Sequence, residues 1–340
     1  MKLRIIRVDL PLKHVLTFSR GSVSVVRTIV VELEQDGLRG HGEVQENPYY
    51  NTNVEEMTEL IQKTRDLLED YALADPLALW RHLRPALGES RYAQTVVDMA
   101  ACDLWGKIRN RPLWRIWGYK PTASLPQACF TIGIDSIDQV LERFRENPDW
   151  PVYKIKMGAK NDMQIVRALR EVTRAVFRVD VNGAWDVETT LHHAKELKTL
   201  GVELIEQPLP ADDWEGMSIL KKKCPIPIIA DESCASEEDI DRCAEFFYGV
   251  NFKPCKFGGL TPMRQAFAHA KEKGLKVVLG CGIESSIAIS GSAQFASLAD
   301  YIDLDGPHLI EKKVGSGVRT ERGQLFFPEE NGTGIRVSFR

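Results

Sequence analysis

VYKIKMG (152–158) places two lysines inside a short apolar run. Read as a strand, its alternation sends Lys154 and Lys156 to one face and Tyr153, Ile155 and Met157 to the other. Seven more runs share this texture: QACFTI, FRVDVN, ELIEQP, PIIADES, GVNFKPCK, KVVLGC and YIDLDGP. Charged stretches of helical character, such as VETTLHHAKELKTLG and TPMRQAFAHAKEKG, separate them. Alternating strand and helix predicts parallel strands. The polar residues ending the runs are Thr131, Lys156, Asp180, Glu206, Asp231, Lys256, Cys281 and Asp303, with gaps of 25, 24, 26, 25, 25, 25 and 22. Eight units of near-constant length predict an α/β fold with a (β/α)8-type (TIM) barrel. An open doubly wound sheet is the rival, but no GxGxxG turn follows a first strand.

The residues upstream read differently. RTIVVELEQDGLRGHGEV alternates like antiparallel strands, with Asp36-Gly37 as a hairpin turn. ENPYYNTN (46–53) is turn-rich. Three helical stretches follow: VEEMTELIQKTRDLLEDY, DPLALWRHLRPAL and RYAQTVVDMAACDLWGKIRN. In the second, Asp75 suits the N-cap and Pro76 the first helical position. Residues 1–125 are therefore expected to form an α+β domain ahead of a barrel over 126–310.

Composition narrows the function classes. A chain of 340 residues suggests about two domains. The net charge of −4 gives no basic footprint for nucleic acid. No apolar run approaches the roughly 18–20 residues that cross a bilayer, and MKLRIIRVDLPLKH lacks a signal-peptide core. No membrane partner is expected. Seven cysteines, an odd number without a CxxC pair, argue against a disulfide framework and a thiolate zinc site. A cytoplasmic protein is expected.

Polar groups at the C-terminal ends of barrel strands converge on one cavity. Asp180, Glu206 and Asp231 end strands three, four and five of the ring. One such acid often only caps the next helix. Three in succession repel one another unless protonated or neutralised. A hard divalent cation such as Mg²⁺, one per subunit, suits three carboxylates. Strands two and six face each other across the ring, so Lys156 and Lys256 flank the acids. A lone lysine at a strand end usually snorkels to the surface. Beside a cation its pKa falls, and it can serve as a general base. Two lysines on opposite faces of a substrate could remove a proton on one side and return one on the other. Lys154, one layer deeper, is expected to support Lys156 and to contact a bound carboxylate. Lys253 is offset by three from Lys256, which predicts the opposite face.

These motifs (VYKIKMG, RVDVNGAW, ELIEQPL, PIIADES and NFKPCKFGGLT) resemble the enolase superfamily in its muconate-lactonizing-enzyme subgroup, and the resemblance covers nearly the whole chain. TVVDMAACDLWGKIRNRPLWRIWGY (95–119) is similar to that family's link from capping domain to barrel. The resemblance implies an enolase-like modified barrel with a capping domain, to which ERGQLFFPEENGTGIRVSFR, within residues 311–340, returns. It implies Mg²⁺ on Asp180, Glu206 and Asp231, abstraction of an α-proton by lysine, and an enediolate. Asn182 is expected to support the metal site. The chain departs from the family's NIKLMK-like run, where it reads NFKPCK. Pro254 could alter where Lys256 points.

Racemisation, cycloisomerisation and β-elimination share that intermediate. Asp303 and Asp305, on one face of the last strand, would suit a substrate ammonium group or merely cap a turn. Their DxD element resembles that of dipeptide epimerases. Arg20, in LTFSRGS (16–22), falls where Ala-Glu epimerases carry an arginine for the glutamate carboxylate, though it could be a solvated loop residue. Ser285 is a candidate substrate contact, and Thr131 another unless it only satisfies local backbone. Glu284 could act in the site or cap a helix. Tyr49, Tyr50 and Asn51 could shape the pocket without assigned roles. The expected activity is Mg²⁺-dependent epimerisation of a dipeptide at its C-terminal α-carbon by two-lysine 1,1-proton transfer, with L-Ala-D/L-Glu as leading substrate. A homo-oligomer is expected. The alternatives are another dipeptide specificity, o-succinylbenzoate synthase or a cycloisomerase, and, outside the family, a Schiff-base lysine lyase or aldolase.

Overall fold

The first three strands form an antiparallel sheet, β1 (Lys2–Phe18), β2 (Gly21–Gln35) and β3 (Leu38–Gln45), in a computed structural model that describes residues 1–121 and 124–338. Asp36 (φ 52°) and Gly37 (φ 78°) supply the two left-handed positions of the expected β2–β3 turn. LTFSRGS, read from the sequence as a loop, is instead a hairpin end. The β1–β2 pairing shifts between Pro11 and Leu16, then resumes as Leu16↔Val23, Thr17↔Ser22 and Phe18↔Gly21. The hairpin docks on the barrel: the Ile134 N–H donates to the Thr17 carbonyl at 2.8 Å. Arg20 is thereby carried on a two-residue tip rather than a free loop.

Four helices cover the sheet: α1 (Val54–Lys63), α2 (Arg65–Glu69), α3 (Pro76–Leu87) and α4 (Arg91–Ile108). The sequence read α1 and α2 as one helix. It breaks at buried Thr64, whose hydroxyl donates to the Ile61 carbonyl at 2.7 Å and so competes with the helical ladder. Asp75 caps α3 by accepting from Ala78 N at 3.0 Å. α4 lies directly on β3. A Cβ at Gly40 would sit 2.2 Å from the Ala100 carbonyl, and one at Gly42 2.1 Å from that of Val96. Only glycine permits this approach.

The other side of α4 faces the barrel. Asp98, 3% exposed, accepts from the Thr261 N–H at 2.9 Å and caps the helix Leu260–Glu272 from outside it. Burial pushes its carboxyl up to about 7. A carboxyl raised in the folded state stabilises fully below its unfolded value and loses that contribution as pH rises through the folded one. Stability should therefore fall between about pH 4 and pH 7, by on the order of a few kcal/mol from this group. Urea melts across that range check it. Asp98→Asn, which keeps an acceptor, should flatten the decline.

Eight parallel strands follow: β4 (Phe130–Ile132), β5 (Val152–Lys156), β6 (Val176–Asp180), β7 (Val202–Glu206), β8 (Ile228–Ala230), β9 (Gly249–Phe252), β10 (Lys276–Leu279) and β11 (Tyr301–Ile302). They lie side by side in chain order. The sheet curls until its ends meet: Ala128 bridges Ile302 in parallel, and Cys129 N donates to the Ile302 carbonyl at 3.2 Å. Helices alternate with the strands, and one large apolar cluster fills the space between them. The C-terminal segment contacts both units. Gly323 O accepts from Ala128 N at 2.8 Å beneath β4, while Thr333 donates its N–H to Asp103 of α4 at 2.8 Å. Among the described residues no helix is long and apolar enough to cross a membrane.

Candidate active site

The ladder β5–β6–β7 puts Lys156 beside Asp180 and Asp180 beside Glu206. Asp231 follows the last residue of β8. The side chains of Asp180, Glu206 and Asp231 are buried, with one carboxylate oxygen of each within 4.8 Å of the others. Burial opposes ionisation of Asp180, but the Lys154 and Lys156 ammonium groups outweigh it and hold its carboxyl well below the usual range. Burial and then Asp180 push Glu206 up to about 8. Asp231 is held far down because Lys253 and Lys256 overcome its burial. Three hard oxygen donors without sulfur or imidazole, one of them driven towards its neutral form by burial and then by its acidic neighbours, fit a divalent cation of the Mg²⁺ kind. Asn251 donates to Glu206 at 2.7 Å and orients it. Asn251 precedes Lys253 by two residues, and the sequence reading assigned it no role.

Lys156 donates to Asp180 at 2.7 Å, at one end of the acid row. The group at the other end is Lys253, which donates to Asp231 at 2.7 Å and lines the same cavity. This corrects the expectation for Lys256. Its side chain is 1% exposed, and its ammonium is consumed by the carbonyls of Asp231 (2.7 Å), Cys234 (3.1 Å) and Asn251 (2.7 Å). It also lies 2.6 Å from Asp231 Oδ1, without the alignment of a hydrogen bond. β9 ends at Phe252, and Pro254 starts a one-turn helix, Pro254–Phe257. Strand alternation therefore stops before it can relate residues 253 and 256. The even spacing of about 25 that favoured Lys256 counted a helical turn as strand.

Lys154 lies deeper and is buried. It bridges Asp180 (3.0 Å), Glu206 (3.0 Å) and Asp303 (2.7 Å). Asp303 and Asp305 both line the cavity, as their shared face predicts. Asp303 is already engaged by Lys154, and the Cys129 thiol donates to it at 3.2 Å. Asp305 accepts from the Thr131 N–H at 2.6 Å. Thr131 thus serves the site through its backbone, and it also lines the cavity. Burial and then Asp303 push Asp305 up to about 7, so an incoming ammonium group would meet a carboxyl that gains from a positive neighbour.

Arg20 reaches the cavity. Its guanidinium is 2.6 Å from Glu232, donates to the Asn182 carbonyl at 3.1 Å, and lies 4.2 Å from the centre of the Tyr49 ring. Glu232 was missed from the sequence. It is buried and accepts from Asn182 Nδ2 at 3.1 Å, and its Oε2 has no partner among the described residues. Its one signal was its place after Asp231 in ADES. Asn182 supports the acids directly, since its N–H donates to Asp180 at 3.1 Å. Ser285 does not line the cavity. Its hydroxyl donates to Glu43 of β3 and caps the helix Ser286–Ser292, so the expected substrate contact is withdrawn. Glu284 is buried beside it, and burial and then Glu43 push it up to about 7. The cavity measures about 590 Å³. Leu16, Phe18, Val23, Ile283 and Leu309 give it an apolar wall.

Two family models match the chain: the mandelate racemase / muconate lactonizing enzyme N-terminal domain over residues 1–118, and the enolase C-terminal domain-like model over 136–340. An L-Ala-D/L-amino acid epimerase of Flavobacterium johnsoniae is 41% identical over 99% of this chain and 100% of its own length. An L-Ala-D/L-Glu epimerase of Bacteroides thetaiotaomicron is 31% identical over 98% of this chain and 88% of its own. Among solved structures, the dipeptide epimerase of Methylococcus capsulatus complexed with Mg and L-Arg-D-Lys superposes with a TM-score of 0.92 at 28% identity. That match covers 99% of this chain and 100% of that one.

Proposed function

The chain belongs to the mandelate racemase/muconate lactonizing enzyme family of the enolase superfamily, and from that premise we propose that it is a Mg²⁺-dependent dipeptide epimerase. It inverts the α-carbon of the C-terminal residue, with L-Ala-D/L-Glu as leading substrate. The observation that carries this is the row of acids bounded by one lysine at each end. Lys156 is paired with Asp180 and Lys253 with Asp231, on strands two and six of an eight-strand ring. Asp180, Glu206 and Asp231 hold the ion. When bound, it supplies positive charge to the substrate carboxylate and lowers the cost of removing the neighbouring α-proton.

The protein's own groups do the rest. One lysine takes the α-proton and the other delivers a proton to the opposite face. Which acts first depends on the epimer bound. Burial works against the Lys253 charge, but Asp231 and Glu206 outweigh it and hold the ammonium high. Positive charge between those acids relaxes that hold and moves the amine towards the range of a general base. Lys154 keeps the acids and Asp303 at fixed spacing. Asp305, with Asp303, receives the substrate ammonium. Asn182 and Glu232 hold Arg20 at the mouth. Arg20 Nη1 meets both partners, and a planar guanidinium fork of this kind would suit a side-chain carboxylate.

The apolar wall favours a second specificity, in which apolar C-terminal residues are accepted beside glutamate. One experiment tests both. A panel of L-Ala-L-Xaa dipeptides is incubated with enzyme and Mg²⁺ in D₂O, and deuterium at the C-terminal α-carbon is followed by mass. Gain on L-Ala-L-Glu, weaker gain on L-Ala-L-Leu, and a drop in kcat/KM of about 10–100-fold on N-acetylation are expected, since a hydrogen bond to a charged group is worth about 1.5–3 kcal/mol. No gain on any dipeptide overturns the proposal. Indifference to N-acetylation removes the ammonium role of Asp303 and Asp305.

A further inference from the structure

We propose that Thr95, in the capping domain, is a positioning residue for Lys253, so that α4 sets the geometry of one face of the reaction and not the other. The inference rests on the two-lysine reading above. Lys253 is the last extended residue before the turn Pro254–Phe257. What fixes that turn fixes the root of the lysine. The buried Thr95 hydroxyl donates to the Pro254 carbonyl at 3.0 Å. At the other end of the turn the Trp80 indole N–H of α3 donates to the Gly258 carbonyl at 2.9 Å.

The two glycines that leave the turn are in the left-handed half of φ space, at 83° and 135°. A Cβ on Gly258 would meet Gln94 Oε1 at 2.5 Å, and one on Gly259 would meet Asp98 Oδ2 at 2.4 Å. Helices α3 and α4 therefore grip the turn by two hydrogen bonds and two close approaches. From inside, Lys256 anchors it to three barrel carbonyls. Lys156 has no such dependence. It ends β5 within the ladder, paired with Asp180 of β6. Loss of the Thr95 hydroxyl frees the Pro254 carbonyl one residue from Lys253 and leaves Lys156 untouched. A misplacement of about 1 Å can cost about 10²-fold in rate.

The test reads each face separately. Each epimer is incubated alone with Mg²⁺-loaded enzyme in D₂O, and the initial rate of α-deuteration is measured. Lys253→Ala first identifies the epimer whose proton faces Lys253. Thr95→Val should slow exchange of that epimer by about 10–100-fold, hold the other within about twofold, and be rescued by Thr95→Ser. Should Thr95→Val not fold, Trp80→Phe is judged by the same asymmetry. Equal losses for both epimers, or no loss, overturn the inference. If Lys253→Ala itself shows no preference between epimers, the two-lysine reading has failed instead.

Discussion

Lys253→Ala is expected to lower epimerisation by about 10²–10⁴-fold, the usual contribution of a positioned general acid or base, while the protein stays folded. The variant removes a side chain from the cavity wall and leaves Asp231 with Lys256 as a partner. Lys156→Ala should produce a loss of similar size and abolish exchange of the opposite epimer. Lys256→Met should behave differently. It strips three carbonyls and a buried carboxylate of their cation, and breaking such a buried pair costs about 3–5 kcal/mol. Its signature is a lower urea midpoint, with activity per folded molecule affected less than in Lys253→Ala. If Lys256→Met instead silences one epimer at full stability while Lys253→Ala leaves both epimers exchanging, Lys256 and not Lys253 is the second base.

Chelation should have the other large effect. EDTA is expected to reduce turnover by about 10³-fold or more, with recovery on adding Mg²⁺, because stabilisation of developing charge by a bound cation is worth several kcal/mol. An independent readout is stability. A ligand bound only by the folded state at a hundred times its Kd adds about 2.7 kcal/mol, a rise of a few degrees in Tm. Glu206→Gln should remove that rise and the activity together, since the amide keeps the shape of the side chain but loses the charge. A Schiff-base lyase would show the reverse: indifference to EDTA, and trapping by borohydride with substrate.

Most of the barrel and its acids could be read from the chain without coordinates. Asp180 and Glu206 are legible as evenly spaced strand ends, because β6 and β7 run straight to the cavity and stop at those residues. Asp303 and Asp305 lie past the end of β11 at Ile302, yet the two-residue offset still brings both to the cavity. Where the reading failed, the regular element had already ended. A strand rule cannot relate Lys253 to Lys256, because β9 ends at Phe252 and the backbone turns helical from Pro254. Arg20 was placed in a loop, yet it sits on a hairpin tip whose docking depends on Thr17 and Ile134.

Sequence alone determined the order of the eight strands, the acidic trio and the lysine beside it, because alternation and spacing are properties of the local backbone. Only the tertiary structure decided which of two lysines faces the cavity, that Asp303 is shared with Lys154, and that Ser285 turns away. Those choices depend on partners distant in the chain: Glu43 for Ser285, and Thr95 and Trp80 for the turn after Lys253. A side chain's destination is set by whichever remote group offers the better hydrogen bond, and a linear pattern carries no record of that.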